Sequence, residues 1–210
     1  MSQQVEVNTE NRFSAEQFLT SRRSVRQYQK GLVLSDAELN EILELASRAP
    51  SSWNLQHWRY LVVREQANKE KLLKIAFGQQ QVADAAAVII VLGDLEANKV
   101  TSKVYEKAAP EIRDLMVKQV DGAYANNPGL ARDEAIRNAS LAAMQLMLAA
   151  KAKGYDTVPM GGYNKDALIS EFQIPDRYVP VVMIPIGKAE KEGRATDRLP
   201  LEHQVIHERF

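Results

Sequence analysis

Three short stretches of this chain hold side chains able to do chemistry. In the first, Ser51, Ser52, Trp53, Asn54, Gln56, His57 and Trp58 follow Pro50 and offer two hydroxyls, two amides, an imidazole and two indoles. That set hydrogen-bonds and stacks, and it suits a planar ring with polar edges. The competing reading is a plain connection whose serines satisfy backbone groups and whose indoles pack. In the second, Ser21, Arg22, Arg23, Ser24 and Arg26 bring three guanidinium forks and two hydroxyls together. Such forks match phosphate oxygens, whereas a solvated basic patch at a helix end is the alternative. In the third, Pro159, Met160, Gly161 and Gly162 form a loop whose paired glycines let backbone N–H groups approach a ligand closely. A turn before the next helix would need the same glycines.

Composition narrows what these stretches can serve. The 210 residues suit one domain of ordinary globular make-up, with 45% hydrophobic and 26% charged residues. The 27 basic side chains balance 27 acidic ones, so no overall field favours nucleic acid or an anionic membrane. Cysteine is absent, which removes disulfides, thiolate metal sites and cysteine nucleophiles. The polar start at 1–12 differs from a signal peptide, and no apolar run reaches membrane-span length, so a soluble cytoplasmic protein is expected. The chain has no HExxH, GxxxxGK[ST], GxGxxG or GxSxG motif. His203 and His207 have metal-compatible spacing but sit in a charged terminal segment, where a solvent-facing pair is expected.

Local signals supply the elements that must position the three stretches. Ser14 with Gln17, and Ser35 with Glu38, have the capping-box form and predict helices over 15–22 and from 36 to the stop at Pro50. The pattern predicts a strand over 59–64 and a helix over 66–77. The uninterrupted apolar run at 88–92 predicts a strand covered on both faces. Residues 99–120 read as broadly helical with Pro110 as an interruption, and 126–129 as a turn. The longest predicted helix, 131–153, is apolar on more than one side and ends at Gly154. Its small residues suit either a second subunit or the chain's own core. Asn164 caps a further helix, and 177–185 reads as a strand that Pro180 and Pro185 place at an edge or with interrupted pairing.

The three stretches would together hold a phosphate at one end and a planar polar ring at the other, as an FMN site requires. Arg22-Arg23-Ser24-Val25-Arg26, then Ala49-Pro50-Ser51-Ser52-Trp53-Asn54-Leu55-Gln56, then Pro159-Met160-Gly161-Gly162-Tyr163, then Arg198-Leu199-Pro200, resembles the nitroreductase family of FMN-dependent NAD(P)H oxidoreductases. The segment 133–141 further resembles the NAD(P)H nitroreductase subgroup linked to quinone stress. The resemblance implies an α+β fold, with a central mainly antiparallel sheet flanked by helices, and an intertwined homodimer with FMN at the interface. It implies one domain over 1–210, with a polar arm at 1–13 and a C-terminal extension at 193–210 that wraps the partner. Arg22, Ser24 and Arg198 would hold the FMN phosphate, with Arg23 beside them through its backbone. Arg26 would face the N1/C2 edge of the ring. Ser51, Ser52, Asn54 and Gln56 would reach the flavin of the other protomer, and Gly161 and Gly162, following Pro159 and Met160, would donate near N5. Gln79 and Gln81 match a ring-touching region. The implied activity is ping-pong hydride transfer from NADH or NADPH, through flavin N5, to a small-molecule electron acceptor such as a quinone or nitroaromatic. A flavin-binding or flavin-fragmenting relative on the same fold is the alternative. Two departures stand out: His57 replaces a frequent proline, and Gly161 replaces a glutamate found in some relatives.

Overall fold

A computed structural model describes residues 14–210; the expected polar arm at 1–13 lies outside them. Both capping boxes form. The hydroxyls of Ser14 and Ser35 accept from the N–H of Gln17 and Glu38, whose side chains accept from the serine N–H groups in return. Satisfying orphan donors this way starts α1 (Ala15–Ser21) and, after β1 (Gln27–Tyr28), α2 (Asp36–Ala46). The chain continues through β2 (Trp58–Val63), α3 (Gln66–Ile75), α4 (Gln81–Asp84) and β3 (Ala87–Asp94).

All eight residues of β3 are buried, and the strand's two-residue period sorts them between two cores. Ala87, Ile89 and Val91 pack with Ile42 of α2 and residues 139–150, while Val88, Ile90 and Leu92 pack with Leu72, Ile75 and Leu168. The run lacks polar alternation because helices cover both faces. Its neighbours are nevertheless antiparallel: the sheet order is β2-β3-β5-β4, with β4 at Asp156–Thr157 and β5 at Tyr178–Gly187. A second, two-stranded sheet pairs β1 with β6 (Ala189–Lys191). This is the α+β architecture expected.

Two expectations need correction. β5 is interior rather than at an edge, since it pairs with β3 along its length and with β4 at Ile186 and Gly187. Pro180 sits at an irregular register between Val91 and Leu92, where Leu92 faces it, while Pro185 pairs in register with Val88, so the interrupted pairing is present without the edge. The 99–120 helix is instead three pieces. A 3₁₀ turn at Ala97–Val100 leads into α5 (Thr101–Val104), and after a break α6 runs over Pro110–Asn126. Pro110 opens α6 as its first residue, where a missing N–H costs nothing, and does not interrupt it.

The longest helix, α7 (Leu130–Ala152), packs against α2, β2, β3, β4 and β5, which accounts for its breadth of apolar positions. It ends in a Schellman motif: Gly154 at φ 78° donates to Lys151, and Tyr155 donates to Ala150. The last helix, α8 (Lys165–Glu171), is capped by Asn164 as expected. No helix of the described residues is long and apolar enough to cross a membrane.

Candidate functional site

Two of the three polar stretches meet within one chain. Ser24 bridges in parallel to Thr157, and Val25 N–H donates to the Thr157 carbonyl at 3.1 Å, so the arginine cluster lies beside the strand that leads into the glycine loop. The start of the tail closes over the same cluster. A Cβ on Gly193 would come within 2.7 Å of the Arg23 Cβ and 2.8 Å of the Ser24 carbonyl oxygen, so only glycine permits this approach. Between them lies a cavity of about 430 Å³ lined by Ser24, Arg26, Gln27, Lys191, Glu192, Gly193 and Arg194. Three cations against one carboxylate make it suited to an anionic ligand.

Individual groups also point to an absent anion. Arg22 Nη1 is buried and has no hydrogen-bond partner among the described residues. A desolvated guanidinium N–H without an acceptor is costly, on the order of 1–3 kcal/mol, and a phosphate oxygen would relieve that cost. Arg23 turns away, donating to the carbonyls of Thr20 and Arg22. Arg198 is exposed and donates to Thr196 and to the Asp197 carbonyl, outside the residues that line the cavity.

The glycine loop is held from below. Met160 and Met183 exchange backbone hydrogen bonds at 2.8 and 3.0 Å. The Gln81 amide donates to Gln79 Oε1 at 3.2 Å and touches the Met160 sulfur, and Gln79 donates to the Gly162 carbonyl at 2.8 Å. Gln79 and Gln81 thus converge on Met160 and Gly162, with their amides engaged by the loop. Pro159, Gly161 and Gly162 are exposed, and a Cβ added at Gly161 would meet nothing within 4 Å. The N–H groups of Gly161 and Gly162 have no backbone partner among the described residues.

The loop at 51–56 shares no hydrogen bond with either of these parts among the described residues. Its backbone is unusual: Trp53, Asn54 and Gln56 have φ of 51°, 55° and 52°. Left-handed conformations cost non-glycine residues about 1–2 kcal/mol each, so surrounding contacts must impose them. Ser51 Oγ accepts from Gln56 N–H at 3.0 Å. Ser52 is anchored to α7, its N–H donating to Asn138 Oδ1 at 2.9 Å and its hydroxyl to Glu134. On the other side, Tyr105 donates to the Trp53 carbonyl at 3.2 Å, and Leu55 is buried against Ala97 and Val120. Asn54 and Gln56 remain exposed.

The sequence reading passed over Glu134 and Asn138. They are 5% and 1% exposed on a helix otherwise apolar at that face. Burial opposes the Glu134 charge, but hydrogen bonds from Ser52 and Asn138 and the Arg137 guanidinium outweigh it and hold its pKa below the usual value. The available signal was an acid and an amide at i, i+4 among alanines.

His57 is fully buried. Its Nε2 lies 3.0 Å from the Tyr124 hydroxyl on α6, and its Nδ1 has no partner among the described residues. Desolvation lowers its pKa despite Glu134 and Asp94 nearby, with Arg59 adding to the depression. Burial, with Glu134 and Asp94, also pushes the Tyr124 phenol up to about 12. A histidine whose folded pKa is depressed is neutral in the fold while the unfolded chain takes up a proton, so stability falls as pH drops through about 6.5. We expect the thermal midpoint to decline between about pH 7 and 5.5, and His57→Gln to flatten that slope. Glu134 titrates separately: its depressed pKa gives stability that is lost only at more acid pH, below the ordinary carboxylate range. An unchanged slope in the variant would refute the assignment to His57.

Comparison with known proteins identifies the family. The model of the "Nitroreductase family" matches residues 19–188. Two Bacillus subtilis proteins carry the name "Putative NAD(P)H nitroreductase". YodC is 47% identical over 189 residues, covering 87% of this chain and 93% of the relative, and MhqN is 41% identical over 183 residues, covering 84% and 89%. The crystal structure of a "putative nitroreductase in complex with FMN" from Exiguobacterium sibiricum superimposes with a TM-score of 0.87 at 39% identity, covering 95% of this chain and 99% of that one. With the fold, the motif order and a match over most of its length in agreement, the chain belongs to the nitroreductase family.

Proposed function

We propose that this protein is an FMN-dependent NAD(P)H oxidoreductase that reduces quinones or nitroaromatics in a ping-pong cycle, working as a homodimer. The observation that carries the reading is the buried Arg22 Nη1, without an acceptor among the described residues, in the same segment as Ser24 and Arg26, which line a cation-rich cavity. These residues fit FMN. When bound, FMN supplies hydride transfer through its N5, so no side-chain acid or base has to carry the chemistry. Arg22 and Ser24 hold the phosphate, joined by Arg198 once the tail is seated. Arg26 places positive charge near the ring, which favours an electron-rich flavin. Gly161 and Gly162 donate backbone hydrogen bonds, their orientation kept by Gln79 and Gln81.

Dimerisation is supported by apolar surface. Leu45 of α2 and Leu141 and Met144 of α7 are all more than 40% exposed, on two helices that pack side by side. The tail beyond Gly193 exposes Leu199, Leu201, Val205, Ile206 and Phe210, a pattern suited to wrapping a second copy. In that arrangement Asn54 and Gln56 reach the site of the other protomer. NAD(P)H is a cytoplasmic reductant, and we place the protein there.

The purified protein is expected to be yellow, or to become so with added FMN, to run as a dimer, and to oxidise NADH or NADPH when a quinone or nitroaromatic is supplied. A protein that takes up no FMN overturns the reading. Bound FMN without turnover would favour a flavin-binding or flavin-fragmenting role.

A further inference from the structure

A buried polar cluster sits directly behind the most strained loop of the proposed ligand site and grips it through Ser52. Glu134 lies on the second turn of α7 and gathers three donors: the Ser52 hydroxyl, Asn138 Nδ2 at 2.8 Å and the Arg137 guanidinium. Asn138 is itself committed at both ends, its Nδ2 also donating to the Glu134 carbonyl at 2.7 Å and its Oδ1 accepting the Ser52 N–H at 2.9 Å. Ser52 therefore meets α7 through both its side chain and its backbone. The residue that follows it, Trp53, begins the left-handed turn. Asn54 tolerates the left-handed region, but Trp53 and Gln56 gain nothing locally from it. Its shape must come from outside the loop. A carboxylate suits this task, since it accepts from Ser52 and Asn138 at once and cannot reverse into a donor.

We infer that Glu134, acting through Ser52 and Asn138, is a positioning residue that sets the loop 51–56 in the shape presenting Asn54 and Gln56 to the flavin of the second protomer. The inference rests on the function proposed above and adds residues that make no contact with the cofactor. Glu134→Leu removes Oε2, the oxygen that accepts from both the Ser52 hydroxyl and Asn138 Nδ2, and so breaks the latch. The sign of the result is informative. Removing a negative charge near an anionic cofactor would by electrostatics alone tighten binding, whereas loss of the latch weakens it.

The experiment measures FMN affinity by fluorescence titration of the full-length apo protein, together with acrylamide quenching of tryptophan. The chain has two tryptophans, Trp53 on the loop and Trp58 in the core, so Trp58→Phe isolates the loop's own reporter. Glu134→Leu and Ser52→Ala are each expected to weaken FMN binding about tenfold, and the double variant no more than the weaker single one. Ser52→Thr, which keeps the hydroxyl, is expected to restore most of the affinity lost in Ser52→Ala. Both weakened variants should raise Trp53 quenching in the absence of FMN. Tighter or unchanged FMN binding in Glu134→Leu, or additive effects in the double variant, overturns the inference while leaving the cofactor assignment standing. Unchanged Trp53 quenching overturns the latch itself, whatever the cofactor. A wild-type protein that binds no FMN overturns the function and the positioning role together.

Discussion

Arg22→Ala is expected to bind FMN about 10- to 100-fold more weakly than the wild-type chain, the range that follows from losing charged hydrogen bonds of about 1.5–3 kcal/mol. The argument starts from desolvation. Arg22 Nη1 is buried without a partner among the described residues, so the folded protein already bears the cost of stripping water from that group. A phosphate that accepts from it gains the hydrogen bond without a further desolvation charge on the protein's side. Arg22→Lys keeps the charge but loses the fork, and should fall between the two. Removing Arg22 also removes an unsatisfied buried group, so the apo protein should be no less stable than wild type. Affinity loss with an unchanged or raised apo melting point therefore distinguishes a ligand-binding arginine from a packing one. Equal FMN affinity in the alanine variant, measured by titration at fixed salt, would remove Arg22 from the phosphate site.

How far the sequence could be read depended on whether a feature was local. Ser14 and Ser35 announce their helices because a capping box needs only four consecutive residues, and Gly154 marks a helix end for the same reason. β3 was legible because burial on both faces leaves an unbroken apolar run. The arginine cluster and paired glycines were legible as chemistry, although only the fold puts them side by side, through Ser24 and Thr157. Pairing order was not legible: Pro180 and Pro185 suggest an edge, and only the irregular register opposite Pro180 explains how β5 stays inside. The pieces before α6 pack on the loop, with Leu55 against Ala97 and Val120, and such contacts leave no periodic trace. The latch between Ser52 and Glu134 joins residues 82 positions apart. Positive φ at Trp53 and Gln56 runs against local preference, and such conflicts concentrate where structure serves a site.

Gly93→Ala is expected to destabilise the protein by about 3 kcal/mol, the upper part of the range for overpacking a core. A Cβ at Gly93 would stand 2.7 Å from the Ala135 carbonyl oxygen and 2.9 Å from its carbonyl carbon. Both are helix backbone and cannot rotate away as a side chain would, so α7 must shift from β3 as a unit. For a chain of this size that corresponds to a fall of roughly 6–12 °C in the melting point. The consequence extends to the site, because Ala135 lies between Glu134 and Asn138, and next to Gly93 is Asp94, whose N–H donates to the His57 carbonyl at 2.7 Å. Asp94 also takes a bidentate pair from Arg177 at 2.7 and 2.8 Å, which pins the strand end and resists its retreat. The strain therefore falls on α7 and on the loop it holds, and FMN affinity should drop along with stability. Gly161→Ala supplies the contrast, since a Cβ there meets nothing within 4 Å and the melting point should stay unchanged. A Gly93→Ala protein that melts as the wild type does would show that the contact between β3 and α7 has slack, and that the loop is positioned by something other than the seating of α7.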